Sequence, residues 1–337
     1  MADRAPIAVF GNGGFGTALA LVALGNGHDV RLWGIEAAYV AETALTRENP
    51  RYLPGVKLPP QLTLTSDAAV AARGASLLMS AVPTQFLRAT MTSLACHLPA
   101  GVPVVSVTKG MENGTLARPS EVLAATIGPR PLAVLSGPSH AEELARGGPT
   151  SVVVASPDAE LCAAVQRVFS TERFRIYASD DVLGVELASA AKNVIAIAAG
   201  VCDGLDLGDN AKAALITRGN AEITRLGRAM GARPETFAGL AGIGDLITTC
   251  TSRHGRNRAV GERLGRGETI EQILGSMVQV AEGVRTAESV VQLAKSRGVE
   301  MPICEQVHRM LFGGQSPAVA LRELMTRTPR AERDHAE

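Results

Sequence analysis

Ile7-Ala8-Val9-Phe10-Gly11-Asn12-Gly13-Gly14-Phe15-Gly16-Thr17-Ala18-Leu19-Ala20 decides the fold of this 337-residue chain. A short apolar strand runs into G-x-G-x-x-G and then into a helix of small residues. In that pattern Gly11 permits a tight turn, Gly13 lets the backbone approach a pyrophosphate, and Gly16 lets helix and strand pack closely. The helix N-terminus adds unpaired N–H groups and a positive dipole end, which favour an anionic ligand. A glycine-rich turn alone is common in α/β proteins; with a strand before it and a helix after it, it points to a dinucleotide site.

Outward from this turn, short apolar runs with β-branched residues alternate with helical stretches. After Ile7–Phe10 they fall at 29–33, 76–82, 103–107, 132–135, 151–155 and 175–178. Such alternation predicts an α/β fold with a mostly parallel sheet wound on both faces. From Val182 onward helix formers dominate without a convincing strand pattern. The expectation is a dinucleotide-binding domain over 1–180 and an all-helical substrate-binding domain over 181–337, with a charged, frayed tail at 330–337.

The chain is 46% hydrophobic and 20% charged, with no net charge, as ordinary globular proteins are. A neutral balance supplies no general electrostatic reason for a nucleic-acid or membrane partner. No apolar leader fits between Met1 and the first strand, and no apolar run is expected to approach the ~18 residues of a membrane span. A cytoplasmic location follows as the expectation. Cys96, Cys162, Cys202, Cys250 and Cys304 are scattered without C-x-x-C spacing, and read as small buried residues, with no metal expected. Only five of the 33 basic side chains are lysines: Lys57, Lys109, Lys192, Lys212 and Lys295. Where lysine is scarce, a surviving one is a candidate for work that arginine cannot do, such as exchanging a proton.

Two segments place small or polar residues directly after a strand, S-A-V-P-T-Q at 80–85 and S-V-T-K-G at 106–110. In an open parallel sheet that is the ligand-binding edge, so Lys109 is either a site residue or part of a plain turn. In L-S-G-P-S-H-A-E-E at 135–143, Ser139 and Glu142 are spaced as a capping box, with Pro138 just ahead. His140 is there as a general base or as a locally bonded helix-start residue. The stretch 186–200 is apolar nearly all round and reads as a buried helix. Its polar residues Glu186, Ser189, Lys192 and Asn193 recur at spacings of three and four, as if one face lined a cleft. Desolvation lowers a lysine's pKa toward the useful range, which makes Lys192 the candidate acid/base, against the plainer reading of a snorkelling lysine. A glycine-permitted bend at 239–244 ends in Asp245, an N-cap or a site carboxylate. The basic cluster at 252–258 is a solvated face or a phosphate pocket.

Taken together, these segments resemble the bacterial-type NAD(P)-dependent glycerol-3-phosphate dehydrogenases over nearly the whole chain. The resemblance rests on G-N-G-G-F-G-T-A-L-A, V-T-K-G at 107–110, S-G-P-S at 136–139, A-A-K-N at 190–193, A-G-I-G-D-L at 241–246 and R-N-R at 256–258, in that order. It implies a Rossmann-type N-terminal domain, a helical C-terminal domain and a cleft between them. It also implies a cytoplasmic enzyme that interconverts dihydroxyacetone phosphate and glycerol 3-phosphate for phospholipid synthesis. Position by position, Lys192 becomes the proton donor and acceptor. Lys109, Gly137, Ser139, Asp245, Gly255, Arg256 and Asn257 join it in holding substrate. Gly11, Gly13, Gly14, Phe15, Gly16, Ile35, Lys109, Ala141, Arg256, Val280 and Glu282 contact the cofactor.

Two positions depart from the family pattern. Gly255 stands where a serine is frequent, so a hydroxyl is missing. Ile35 stands where a histidine or arginine often meets the adenine ribose. With nothing basic read at that loop tip, the cofactor is NAD or NADP, and NADH is expected to serve at least as well as NADPH. The expected partner is a small phosphorylated molecule, with a homodimer allowed and no nucleic acid or membrane. A β-hydroxyacid-type dehydrogenase of similar build remains the alternative, since Arg256 suits a carboxylate too. A non-catalytic nucleotide sensor would be expected to lack Lys192.

Overall fold

A computed structural model describes residues 5–277, 280–329 and 331–332. The segment Met1–Arg4 and most of the tail expected to fray lie outside the described residues. Among the described residues ten strands form, β1 Ile7–Phe10, β2 Val30–Trp33, β3 Glu48–Asn49, β4 Leu53–Lys57, β5 Thr63–Thr65, β6 Leu77–Ser80, β7 Val104–Ser106, β8 Leu132–Ser136, β9 Thr150–Ala155 and β10 Phe174–Ser179. Eight of them make one sheet in the order β10-β9-β8-β7-β6-β1-β2-β5. Every pair in it is parallel except β8 with β9, where the chain turns back. The seven strands read from sequence are all present, with ends that differ from the reading by no more than two residues.

Three strands were not read from the sequence. β3 and β4 form a separate antiparallel pair, and β5 is a three-residue edge strand. β4 contains Pro54 and Gly55 and exposes most of its length, so it lacks the apolar alternation that marks a strand. Apolar side chains pack on both faces of the large sheet, Ile7 and Val9 on one and Ala8 and Phe10 on the other. The strand order reverses between β1 and β6, which is where an open α/β sheet leaves a ligand crevice at its carboxyl edge.

From Val182 onward the described residues contain helices and no strand. Their core is organised around the helix Val182–Gly204, whose residues from Gly184 to Cys202 are all buried. By length and composition this helix is apolar enough to cross a membrane, contrary to the reading of the sequence. It is the central helix of a globular core instead, with 89% of its apolar window buried inside the protein. The helix Arg256–Gly265 lies directly against it, because glycines let the backbones touch: a Cβ on Gly200 would strike the Arg258 carbonyl, and one on Gly261 the Ile197 carbonyl. Val134 and Ala155 of the sheet meet Val185 and Ala241 of the helical part in a small apolar cluster.

Candidate active site

The glycine turn has the form its sequence calls for. Gly11 has φ of +117°, and a Cβ there would sit 2.7 Å from the Ala81 carbonyl oxygen on the neighbouring strand end. A Cβ on Gly16 would collide with the Gly11 carbonyl, so helix and turn need hydrogen there. Around Gly13 nothing lies within 4 Å of a would-be Cβ. The helix Gly14–Gly25 starts at Gly13 without a side-chain cap and without an acidic residue in its first turn. An open space facing uncapped N–H groups fits the pyrophosphate of NAD(P). Asn49 secures the turn from behind, its Nδ2 donating to the Asn12 carbonyl (2.8 Å) and to Thr17 Oγ1 (2.9 Å). Sequence reading passed over Asn49 because β3 carries no strand signal.

Across the crevice three charges converge. Lys192 Nζ donates to Asp245 Oδ1 (2.9 Å) and Thr249 Oγ1 (2.6 Å), and Lys109 Nζ donates to Asp245 Oδ2 (2.9 Å) and the Gly137 carbonyl (3.2 Å). Lys192 is 4% exposed and Asp245 2%. Burial brings the Lys192 ammonium down to about 8; the Asp245 carboxylate opposes that shift and Lys109 adds to it. Burial alone would raise Asp245, but the two ammonium groups hold it below the ordinary carboxylate range. Cys250 is no rival nucleophile, since burial pushes its thiol up to about 12. Thr249 was not singled out from sequence; it lies one helical turn after Asp245 in the helix Asp245–Thr251 and so shares its face.

The other expected residues surround this cluster. Ser139 Oγ donates to the Gly137 carbonyl (2.9 Å), Lys109 Nζ stands 5.8 Å from the Phe15 ring centre, and Ala141 faces Gly14. The exposed Arg256 donates to the Val280 carbonyl (3.0 Å), while Asn257 Oδ1 accepts from Gly283 N–H (3.0 Å). Burial pushes Glu282 up, and Arg256 is the first charge opposing that shift. Gly255 caps the helix Arg256–Gly265 with no side-chain bond. Ile35 stands apart from the cluster at the far end of the crevice, 70% exposed.

Several expectations need correction. Glu186 does not line the cleft with Lys192. Glu186 accepts from Arg118, from Ser120 N–H and from Ser120 Oγ. On a helix, Asn193 shares the Glu186 face, whereas Lys192 is turned from it by about 100°. No capping box forms at Ser139 and Glu142, because the helix Ala141–Ala145 starts one residue later, at His140. Asp245 caps nothing; as first residue of its helix it spends both oxygens on the lysines. The basic cluster divides, since Arg258 is paired with Asp203 and Glu262 while Arg253 and Arg256 are exposed. Cys96 is exposed, although the other four cysteines are buried. The Ile35 loop is also not devoid of basic neighbours. Arg51, from the turn between β3 and β4, bonds both Glu36 carboxylate oxygens at 2.8 Å and covers the Tyr39 ring.

A dinucleotide turn at the switch point of a doubly wound sheet, facing a buried lysine on a helical second unit, defines a two-domain NAD(P)-dependent dehydrogenase. Family models described as NAD-dependent glycerol-3-phosphate dehydrogenase N-terminus and C-terminus match residues 6–162 and 181–322. The chain belongs to the NAD-dependent glycerol-3-phosphate dehydrogenase family. It is 51% identical to glycerol-3-phosphate dehydrogenase (NAD(P)+) 2 of Salinibacter ruber, over 98% of this chain and 96% of that one. Identity is also 51% to glycerol-3-phosphate dehydrogenase (NAD(P)+) of Citrifermentans bemidjiense, over 98% and 99%. The crystal structure of glycerol-3-phosphate dehydrogenase from Coxiella burnetii superposes with a TM-score of 0.93 at 40% identity, covering 96% of this chain and 99% of that one.

Proposed function

We propose that the cleft reduces dihydroxyacetone phosphate to sn-glycerol 3-phosphate, and runs the reverse reaction, with the product feeding glycerophospholipid synthesis. The observation that carries this reading is Lys192, dry, bonded to Asp245 and Thr249, and brought by burial to about 8. Bound NAD(P)H supplies the hydride. In reduction the Lys192 ammonium gives a proton to the carbonyl oxygen as negative charge grows there; in oxidation the neutral amine takes it back. Lys109 places a second positive charge beside the forming alkoxide, where exclusion of water makes it count most. Asp245 aims both ammonium groups. Arg256 and Asn257 hold the phosphate, with Ser139 and the backbone of Gly137 and Gly255 on the substrate wall, so that binding far from the reacting carbon positions the carbonyl.

For the cofactor, Gly11, Gly13, Gly14, Phe15, Gly16 and Ala141 hold the pyrophosphate end and Ile35 meets the adenosine. Lys109, Arg256, Val280 and Glu282 face the remainder. The division of labour falls at 180/181, between β10 and the helix Val182–Gly204. The same reading places the protein in the cytoplasm without nucleic-acid or membrane partners, and accommodates a homodimer. The test is turnover of dihydroxyacetone phosphate against carboxylate-bearing keto acids, with Lys192→Met alongside wild type. Acid/base catalysis contributes about 10²–10⁴-fold, so Lys192→Met is expected to lose at least that lower factor in kcat with cofactor affinity kept. Faster turnover of keto acids, or retention of more than about a tenth of kcat, refutes the assignment.

A further inference from the structure

A second concavity, of about 680 Å³, opens beside the lysine cluster at the seam between the two units. The sheet unit contributes His140, Arg146 and Arg173, and the helical unit Ser252, Arg253 and His254. The two imidazoles face each other across the seam with ring centres 6.1 Å apart. None of Lys109, Lys192, Asp245 and Arg256 lines it.

Its charges are poorly balanced from within. The Arg146 and Arg253 guanidiniums have no hydrogen bond or ion pair with a described residue, and Arg173 reaches only the Gly147 carbonyl, at 3.3 Å. Glu143 is the one carboxylate in the lining. Three guanidiniums against it leave two positive charges, and burial pushes His140 below the ordinary histidine range. His140 Nε2 is buried without a partner, and buried polar atoms rarely stay unpartnered. Ser252 Oγ accepts from His254 N–H (3.1 Å), so its own hydrogen faces no protein acceptor among the described residues. Guanidiniums and a hydroxyl around a concave site of charge +2 are complementary to a phosphate dianion, which accepts several charge-assisted bonds at once. The volume falls within the usual range for small-ligand sites, about 300–1,000 Å³.

We infer that this seam cavity is a second binding site, distinct from the one that holds the reacting substrate, for a small phosphate-bearing anion. Arg146 and Arg173 hold it from the sheet unit, Arg253 and Ser252 from the helical unit. Because the anion is shared between the units, its binding stiffens the cleft between them. The wall it uses is the outer face of the helix Asp245–Thr251, whose inner face carries Asp245 and Thr249 against Lys192.

The test counts phosphate by equilibrium dialysis against labelled inorganic phosphate at low ionic strength. It uses the whole protein, the double variant Arg146→Ala/Arg253→Ala, and Arg256→Ala. Two phosphates per chain are expected in wild type and one in the double variant, whose kcat/KM for dihydroxyacetone phosphate stays within twofold. One phosphate in wild type, unchanged in the double variant, overturns the site. So does an undiminished count accompanied by a salt-dependent tenfold loss of kcat/KM, which marks the arginines as a steering rim of the catalytic cleft. The second site does not depend on the role given to Arg256. If Arg256→Ala keeps two phosphates while the double variant loses one, the seam site stands and the phosphate role of Arg256 falls. Competition with unlabelled glycerol 3-phosphate then identifies the source. Displacement of both phosphates assigns the cavity to phosphomonoesters, and displacement of one assigns it to inorganic phosphate; either result upholds the site.

Discussion

Lys192 titrates at about 8 because burial outweighs the carboxylate beside it. Proton donation in ketone reduction needs the ammonium and proton acceptance in alcohol oxidation needs the amine. The kcat for reduction is therefore expected to fall as pH rises through about 8, while kcat for oxidation rises through the same range. Asp245 stabilises the charged lysine, so Asp245→Asn should move both profiles toward lower pH. Rate–pH profiles of the two directions check this, and unmoved profiles in the variant would detach Asp245 from the proton. Cofactor choice is a second matter of single residues. Arg51 is engaged by Glu36 in a two-oxygen pair, and Arg31 is spent on the Val70 and Arg73 carbonyls. A ribose 2′-phosphate arriving near Ile35 thus meets a carboxylate and a committed arginine, and NADH is expected to serve at least as well as NADPH. Glu36→Gln should release Arg51 and shift kcat/KM toward NADPH by several-fold or more. A tenfold NADPH preference in wild type would contradict this account.

Helix Pro302–Phe312 illustrates what an element needs from elsewhere. It begins without a side-chain cap of its own, and its first N–H groups, at Ile303 and Cys304, donate to the Glu222 carboxylate at 2.8 and 3.3 Å. Glu222 is nearly fully buried, which pushes it up to about 7 against those backbone bonds. Between the ordinary value near 4.5 and about 7, the folded state holds a proton that the unfolded chain has released. Stability from this group is full below pH 4.5 and lost as pH rises through about 7. The span corresponds to about 3 kcal/mol. Burial raises Glu186 and Glu282 in the same direction, so the comparison must be with Glu222→Gln. Urea denaturation from pH 4.5 to 8 should give a flatter stability profile in that variant, and parallel profiles would exclude Glu222 as the source.

Across the whole molecule, the two units are fastened by the segment that follows β7. Met111, in the loop after β7, is buried in the helical core. Asn113 Nδ2 donates to Glu288 (2.7 Å), and Arg118 and Ser120 grip Glu186 from the sheet side. These contacts couple the unfolding of one unit to the other. Trp33, the single tryptophan, reports on the sheet, and far-ultraviolet circular dichroism reports largely on the helices. The two denaturation curves should coincide in wild type and separate in Met111→Ala/Glu186→Ala. Coincident curves in that variant would locate the coupling elsewhere, for example in the cluster of Val134, Ala155, Val185 and Ala241.

The turn at Gly11–Gly16, the strands near it and the buried helix carrying Lys192 were legible in the sequence because their signals are local. Steric demands on glycine, alternation of apolar runs and unbroken hydrophobicity need no knowledge of distant residues. The strands β3 to β5 were not legible, since they are short and carry no periodic pattern. The family resemblance named candidate positions, yet it could not say which side chains touch. Lys109 and Asp245 are 136 residues apart and Lys192 and Asp245 are 53 apart, so their shared carboxylate exists only once both units are packed together. The depressed ammonium of Lys192 was expected from burial, but the opposing pull of Asp245 and the added push of Lys109 depend on how close the three groups come to one another, because Coulomb energy falls with distance. Tertiary structure likewise turned Glu186 toward Arg118 and brought Arg51 to Glu36, because helix phase and chain crossing, not residue type, decide which polar groups meet.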